Sequence, residues 1–204
     1  MNAASSQSSA HEQPLMPVVD ALQVLIQHLP YDWIVVTNQS SARTWPKLVQ
    51  RQLDLHYNPS TMGGAVPLAL GLALAQPKRE VLCITGDGAL LMNLGSLVTV
   101  GAANPPNLTI VVLENGLYEV TGGQETPGPA ALVQFGNLAE NTGFETIAEY
   151  HELRDWQRQA REFLLETQGP RFACLAVDRT PPEYLKFPTP PMVEQLTRFR
   201  AALE

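Results

Sequence analysis

Residues 81–91 read VLCITGDGALL, a short apolar stretch that runs directly into a glycine turn and then into a helical pattern. The stretch 81–85 is apolar on both faces, as in a strand that lies between two layers of helices. Glycines at the end of such a strand let backbone N–H groups face a phosphate, and the helix that begins there adds the positive end of its dipole. The alternative is that Asp87, inside the turn, only caps the helix.

Three other stretches have the same apolar character, at residues 33–37, 108–113 and 172–177, with a weaker one at 144–147. Helical patterns alternate with them at residues 22–29, 62–75, 91–103, 135–141 and 152–167. This alternation predicts an α/β fold, doubly wound, with a mostly parallel sheet of four or five strands and helices on both faces. Because ligands bind outside the carboxyl ends of such strands, functional residues are expected after Thr37, Thr85 and Leu113.

The composition indicates one globular domain with tails. The chain has 204 residues, of which 45% are apolar and 16% charged, which excludes a wholly disordered protein. The net charge is −7 and the basic residues are scattered, so the sequence does not predict the positively charged surface that binds nucleic acid. We predict a disordered polar tail at residues 1–14, a cofactor-binding domain at 15–180, and a proline-rich C-terminal arm and helix at 181–204.

No targeting or membrane segment is expected from the sequence. The longest apolar run, residues 65–75, contains Pro67 and Gly71 and is far shorter than the roughly 20 residues that cross a bilayer. Cys83 and Cys174 are too few for a disulfide scaffold, and both are interpreted as small buried side chains. These features predict a cytoplasmic protein.

A second oxygen donor follows the next predicted strand. Twenty-six residues separate Gly88 from Asn115, an interval that fits one helix, one connection and one strand. Because the carboxyl ends of neighbouring parallel strands share one edge of a sheet, Asp87 and Asn115 are expected to meet there. Mg²⁺ takes carboxylate, amide and main-chain oxygens together with phosphate oxygens and water. The spacing therefore predicts a site for Mg²⁺ and a diphosphate.

The turn, the interval and the asparagine together resemble the diphosphate-binding module of the thiamine diphosphate-dependent enzymes. The resemblance implies that Mg²⁺ is bound by Asp87, by the side chain of Asn115 and by the carbonyl of Leu117. The cofactor-binding residues that it implies are Ser60, Met62, Gly86, Asp87, Gly88, Ala89, Asn115 and Leu117. The family often has a second asparagine where this chain has Glu114, a departure that leaves the ligand position itself intact.

Met62 looks like the bulky apolar residue over which this family bends its cofactor. The resemblance implies that the carbonyl of Ser60 and the N–H of Met62 contact the aminopyrimidine ring. Taken without the resemblance, Met62 would be an ordinary core methionine at the start of a helix.

The segments MGG at 62–64, LGLAL at 70–74 and TGGQ at 121–124 are similar to those of sulfopyruvate and phosphonopyruvate decarboxylases. The similarity implies a thiamine diphosphate- and Mg²⁺-dependent decarboxylase that acts on a small 2-oxo acid. In this family a glutamate from a pyrimidine-binding module assists the cofactor, and no segment left over here provides it. The resemblance therefore implies a β subunit that is active in a hetero-oligomer with a pyrimidine-binding α subunit.

Two helical stretches, at residues 68–74 and 91–100, are apolar nearly all round. They are candidates for the interface with the α subunit or for self-association. The alternative is that both are buried within the domain, since periodicity does not distinguish the two kinds of burial.

Two residues are candidates for contact with the substrate. Arg43, after the first strand, is a candidate for binding an anionic substrate group, the alternative being a solvated arginine at the start of a helix. His56 is a candidate proton donor, the alternative being a histidine with a structural role.

Other functions stay open at this point: a carboligase, a 2-oxo acid oxidoreductase subunit, a non-catalytic module that keeps the cofactor site as a scaffold, or a dinucleotide-binding domain. Two separate cysteines disfavour the oxidoreductase, since an iron–sulfur cluster takes four thiolates. The absence of a Gly-x-Gly-x-x-Gly motif at the first helix disfavours the dinucleotide-binding domain.

Overall fold

A computed structural model describes residues 15–186 and 188–204, so the tail predicted at residues 1–14 lies outside the described residues. The main sheet has six parallel strands in the order β2-β1-β3-β4-β8-β7. Its strands are β1 (Ile34–Asn38), β2 (Asp54–Tyr57), β3 (Val81–Gly86), β4 (Leu108–Glu114), β7 (Thr146–Tyr150) and β8 (Arg171–Ala176). A small antiparallel pair is formed by β5 (Leu117–Tyr118) and β6 (Gln124–Glu125).

Ten α-helices surround the sheet within the described residues. They are α1 (Val18–His28), α2 (Ser41–Leu48), α3 (Ala65–Ala75), α4 (Asp87–Leu91), α5 (Gly95–Ala103), α6 (Pro127–Ala130), α7 (Phe135–Glu140), α8 (Leu153–Leu165), α9 (Pro182–Leu185) and α10 (Met192–Leu203). None of these helices is long and apolar enough to cross a membrane.

The sheet is covered on both faces, which confirms the predicted doubly wound fold. Alternate residues of β1 belong to different cores: Val36 packs with α3, α5, α7 and α10, whereas Val35 packs with α1, α2 and α8. The same division occurs in β3, where Cys83 faces the first core and Leu82 the second. The central strands are apolar on both sides because neither side meets water.

The sequence predicts four or five strands, whereas the sheet has six. The strand that the prediction missed is the edge strand β2. Its sequence, Asp-Leu-His-Tyr, carries polar residues that an apolar pattern does not detect. Asp54 and His56 are nevertheless buried, because the indole of Trp45 donates to Asp54 at 2.9 Å and His56 shares a 2.9 Å hydrogen bond with Thr37.

Two helices differ from their predictions, because one begins later than predicted and the other is interrupted by a turn. The helix predicted at 62–75 begins only at Ala65, because Gly63 has a positive φ of 80°. The helix predicted at 91–103 is two helices, α4 and α5. Between them Asn93 donates its amide hydrogen to the carbonyl of Gly63 at 3.0 Å, which joins this break to the start of α3.

The segment predicted as a proline-rich C-terminal arm and helix, residues 181–204, contains α9 and α10, and α10 packs against the core. Phe199 of α10 is buried in the same cluster as α3 and α5. The buried side chain of Gln195 hydrogen-bonds both backbone groups of His56 on the edge strand β2. The helix thus covers an edge strand that would otherwise carry unpaired backbone groups.

The chain reverses its direction across the sheet between β1 and β3. From β1 it moves outward to β2 through α2 on one face, and it returns through α3 on the other face to β3. The loops that follow β1 and β3 therefore leave in opposite directions and open a crevice between them. In open α/β sheets this is the position where ligands bind.

Candidate functional site

A cleft opens at this crevice. Its walls come from the ends of β1, β3 and β4, from the segment before α3, and from the loop after β8. The lining residues are Val18, Asn38, Gln39, Ser40, Ser41, Met62, Gly86, Asp87, Gly88, Ala89, Leu113, Asn115, Leu117, Tyr118, Glu119, Val120, Val177 and Thr180. Seven of the eight residues that the sequence implicates in cofactor binding line this one cleft.

Strand β3 runs into helix α4 without an intervening loop, whereas the sequence predicts a glycine turn between the strand and the helix. Gly86 ends the strand and Asp87 begins the helix. A Cβ atom at Gly88 would lie 2.7 Å from Cδ1 of Tyr118 and 3.1 Å from Cγ2 of Thr126, so only glycine fits there. The backbone at the start of α4 is therefore packed directly against the β5 segment.

Asp87 is buried, and only one of its two carboxyl oxygens has a hydrogen-bond partner. Its Oδ2 accepts a hydrogen bond from the hydroxyl of Thr126 at 3.0 Å, whereas its Oδ1 has no partner. Burial raises the pKa of Asp87, while hydrogen bonds from Thr126 and from nearby backbone groups oppose the rise. A buried carboxyl group with one bare oxygen is an arrangement that a cation would complete.

Asn115 follows β4 at the same edge of the sheet. The register of the two strands pairs Gly86 with Leu113, so Asn115 lies two positions beyond that pair and beside the turn that holds Asp87. Its Oδ1 accepts a 3.0 Å hydrogen bond from the N–H of Leu117, which fixes the side chain in a tight turn through Gly116 at φ 70°. An amide oxygen accepts two such contacts, so one position on Oδ1 is available to a cation.

The segment before α3 reaches the cleft through Met62. Ser60 does not line the cleft itself, but its hydroxyl accepts a 2.8 Å hydrogen bond from the side-chain amide of Gln39, which does. Gln39 has a left-handed backbone with φ 52°, an uncommon conformation for a residue with a side chain. The contact joins the loop after β1 to the segment before α3.

Glu119 is a residue of the cleft that sequence reasoning missed. Its carboxylate accepts a hydrogen bond from the hydroxyl of Ser40 and another, at 2.6 Å, from the N–H of Thr180. It thereby ties together the loops that follow β1, β4 and β8. Because its partners are distant in sequence, no local pattern indicated this role.

Arg43 and His56, the two candidates for substrate contact, do not line the cleft. The guanidinium of Arg43 donates to the carbonyl of Leu185 at 2.6 Å. His56 is buried beside Thr37, and burial, with a smaller effect of Arg198, lowers its pKa to about 4. A role in catalysis or substrate binding stays a prediction for both residues.

Glu114, which departs from the family pattern, lines a second cleft at the ends of β4, β7 and β8. Its Oε2 accepts a 3.2 Å hydrogen bond from Sγ of Cys174, and burial raises the pKa of both groups. Cys83 and Cys174 are both buried free thiols, as the sequence predicts.

Within residues 15–186 and 188–204, no group of three or more His, Cys, Asp or Glu side chains is arranged to hold a metal ion. A cation at Asp87 would thus depend on neutral oxygen ligands.

Comparison with known proteins identifies the family. Residues 35–173 match the family described as "Thiamine pyrophosphate enzyme, C-terminal TPP binding domain". The chain belongs to this family. The match covers the strands β3 and β4 that carry Asp87 and precede Asn115, so these thiamine diphosphate enzymes are the correct context for the cleft.

Two named decarboxylases are similar to this chain in sequence. A phosphonopyruvate decarboxylase of Streptomyces viridochromogenes is 38% identical over 185 residues, which are 90% of this chain and 45% of that protein. A sulfopyruvate decarboxylase subunit beta of Methanothermobacter thermautotrophicus is 42% identical over 121 residues, which are 59% of this chain and 60% of that protein. The chain thus spans about half the length of these relatives.

A solved structure shares the fold. The thiamine diphosphate-dependent 4-hydroxybenzoylformate decarboxylase of Rhodococcus jostii RHA1 matches 88% of this chain and 35% of its own, with a TM-score of 0.65 and 20% sequence identity. At that identity the likeness establishes the doubly wound fold alone.

Proposed function

We propose that this chain supplies the diphosphate- and metal-binding half of a thiamine diphosphate- and Mg²⁺-dependent 2-oxo acid decarboxylase of the sulfopyruvate or phosphonopyruvate type. The single observation that carries the proposal is the cleft between β1 and β3, which joins the Gly-Asp-Gly turn to Asn115 and Met62. The names of the two relatives support the reaction and the substrate class.

The residues present fit the cofactor and its metal. The bare Oδ1 of Asp87, the free position on Oδ1 of Asn115 and the carbonyl of Leu117 would hold Mg²⁺. Gly86, Gly88 and Ala89, which line the cleft at the start of α4, would place backbone N–H groups against the diphosphate. Met62 would support the rings of the cofactor, and Ser60 would contact the pyrimidine.

When bound, thiamine diphosphate would supply an electron sink, which accepts the electron pair of the carbon–carbon bond that breaks as CO₂ leaves. The chain contributes orientation and a dry environment to that reaction. Thr126 fixes the carboxylate of Asp87, and Glu119 holds the loops after β1 and β8 at the rim. A substrate with a sulfonate or phosphonate group also needs cationic donors, and Arg43 stays the candidate within this chain for that contact.

The other half of the site would come from a pyrimidine-binding α subunit. The relative from Methanothermobacter is named as a subunit beta, which supports a two-chain assembly. Leu74, Met92 and Val98, at or near the ends of α3 to α5, are all more than half exposed to solvent. Exposed apolar side chains of this kind mark surfaces for association, either with the α subunit or with a second copy. We place this assembly in the cytoplasm, where buried free thiols such as Cys83 stay reduced.

The experiment is to isolate the tagged chain from its own cells and to record native mass spectra at low collision energy. The complex is then incubated with thiamine diphosphate, Mg²⁺ and one of three acids: sulfopyruvate, phosphonopyruvate or pyruvate. Release of CO₂ and of the corresponding aldehyde is measured. The matched control is the complex with Asp87→Asn, which should keep its subunits and lose CO₂ release.

A hetero-oligomer that carries the cofactor and releases CO₂ with an aldehyde supports the proposal. Failure of the complex to bind thiamine diphosphate in the presence of Mg²⁺ contradicts it. Formation of a new carbon–carbon bond in place of an aldehyde indicates a carboligase. Binding without exchange of the cofactor's thiazolium C2 proton indicates a non-catalytic module, and a pyrimidine-binding module on the same polypeptide contradicts the two-chain assembly.

A further inference from the structure

Asn38 ends β1 at the point where the sheet reverses direction. The register of β1 and β3 pairs Thr37 with Ile84, so Asn38 lies level with Thr85, one residue before the glycine turn. Its backbone is fully engaged, because its N–H donates to Oγ of Ser41 at 3.2 Å and its carbonyl accepts from the same hydroxyl at 2.7 Å. The position of the side chain is therefore set by the fold.

The amide of Asn38 has no partner. The residue is fully buried and lines the cleft, yet neither Oδ1 nor Nδ2 makes a hydrogen bond within the protein. Buried polar side chains are almost always paired, since an unpaired amide in a dry site opposes folding. The preceding residues Ile34, Val35 and Val36 are apolar, and an apolar side chain at position 38 would avoid this cost. The amide is therefore better explained by a ligand than by folding.

The charges around the cleft indicate which kind of ligand atom the amide meets. Among the described residues that line it, none is lysine or arginine. A diphosphate there must be held by a cation and by neutral N–H donors. The bare oxygen of Asp87 accounts for the cation, and the backbone at the start of α4 provides part of the donors. The NH₂ group of Asn38 is an unpaired side-chain donor at the same crevice.

We propose that Asn38 is a further cofactor-binding residue, which donates an Nδ2 hydrogen to a diphosphate oxygen from the β1 side of the cleft. This inference rests on the proposed function. It places one donor on each strand that borders the crevice, with the diphosphate between the ends of β1 and β3. A bound diphosphate would give the Nδ2 donor of Asn38 the hydrogen-bond partner that it lacks within the protein.

The test compares the complex of the wild-type chain with Asn38→Ala and with Asn137→Ala, a control at an exposed asparagine of α7. The dissociation constant of thiamine diphosphate is measured by calorimetry at saturating Mg²⁺, and inorganic pyrophosphate is used as a competitor for the diphosphate position. Thermal unfolding is recorded without cofactor. Asn38→Val serves as a second variant, because valine suits a strand and lacks a donor.

Asn38→Ala should weaken binding of both thiamine diphosphate and pyrophosphate by about tenfold, with a melting temperature without cofactor equal to or above that of the wild type. The Asn137→Ala control should match the wild type in both measurements. Affinity for thiamine diphosphate within about twofold of the wild type overturns the inference, as does an unchanged affinity for pyrophosphate. A lowered melting temperature without cofactor in both Asn38 variants also overturns it, since the amide would then stabilise the fold. Absence of binding by the wild type contradicts the proposed function instead.

Discussion

Thr126 donates its hydroxyl hydrogen to Oδ2 of Asp87 at 3.0 Å, while Oδ1 of the same buried carboxylate has no partner. The two residues are 39 positions apart, and Thr126 lies between the β5–β6 pair and α6. The contact orients the carboxylate and leaves one oxygen for a ligand. Burial disfavours the ionised form of this carboxyl group and raises its pKa, at the place where Mg²⁺ is proposed to bind.

Replacing Asp87 by asparagine exchanges a titratable group for a neutral one with little change of shape. We expect the free energy of unfolding without cofactor to rise by about 1 kcal/mol, since burial disfavours the ionised carboxyl group and the neutral amide avoids that cost. Mg²⁺-dependent affinity for thiamine diphosphate should fall by about a hundredfold. Urea unfolding and calorimetry in MgCl₂ and in EDTA measure the two effects. Asp155→Asn, at an exposed carboxylate paired with Arg158, is the control, and an unchanged Mg²⁺-dependent affinity of Asp87→Asn would remove the metal assignment.

Gly88→Ala should destabilise the protein by about 1–3 kcal/mol, because the new methyl group would lie 2.7 Å from the ring of Tyr118. Gly71→Ala is a matched control, since a Cβ at this helical position of α3 meets nothing within 4 Å. It should stabilise the protein by about 0.5–1 kcal/mol. Chemical unfolding measures both variants, and equal effects would show that the close packing at Gly88 is not important for stability.

The sequence predicts the part of the site that is local. The stretch around Asp87 is recognisable because an apolar strand, a glycine turn and a helical pattern follow one another directly. Asn115 could be brought to the same edge because β3 and β4 are neighbours in the sheet. Both inferences need only the period of the strands and one crossover.

The features that sequence reasoning missed depend on distant partners. Ser40 meets Glu119 across 79 positions, and Gln195 meets His56 across 139. Strand β2 escaped prediction because its polar side chains are buried by hydrogen bonds to residues of β1 and α2. The side-chain amide of Asn38 is identified as buried and unpaired only from the three-dimensional structure.

Met62→Ala should reduce turnover of the complex more than its affinity for thiamine diphosphate. Met62 lines the cleft and is not one of the residues proposed to hold the diphosphate, so truncation should remove support for the cofactor rings and leave the diphosphate contacts intact. We expect kcat to fall about tenfold further than the affinity. Steady-state kinetics at saturating cofactor and calorimetry measure the two quantities. Equal losses would contradict a role in shaping the bound cofactor.

His56 should make stability depend on pH. Burial, with a smaller effect of Arg198, lowers the pKa of His56 from its ordinary 6.5 to about 4, so between these pH values only the unfolded state binds the proton. Its contribution to stability is therefore lost as the pH falls through this window. Burial raises the pKa of Asp54 to about 6, which acts in the opposite direction, so the comparison must be made against His56→Gln. Between pH 7 and 5 the wild type should lose about 2 kcal/mol more than the variant in urea unfolding, and parallel curves would contradict this origin.

Gln195→Ala should release the C-terminal helix from the edge of the sheet. Oε1 of Gln195 accepts from the N–H of His56 at 2.8 Å, and its Nε2 donates to the carbonyls of His56 and Pro190 at 3.1 and 2.8 Å. Truncation removes the partner of the N–H of His56 and of the carbonyl of Pro190, whereas the carbonyl of His56 still accepts from the N–H of Asn58 at 2.8 Å. The loss should cost about 2 kcal/mol in urea unfolding and speed hydrogen exchange at His56. Thr197→Ala, at an exposed hydroxyl of the same helix, should change stability by less than about 0.5 kcal/mol. If Gln195→Ala were as mild as this control, α10 would be held by the packing of Phe199 and not by its hydrogen bonds to β2.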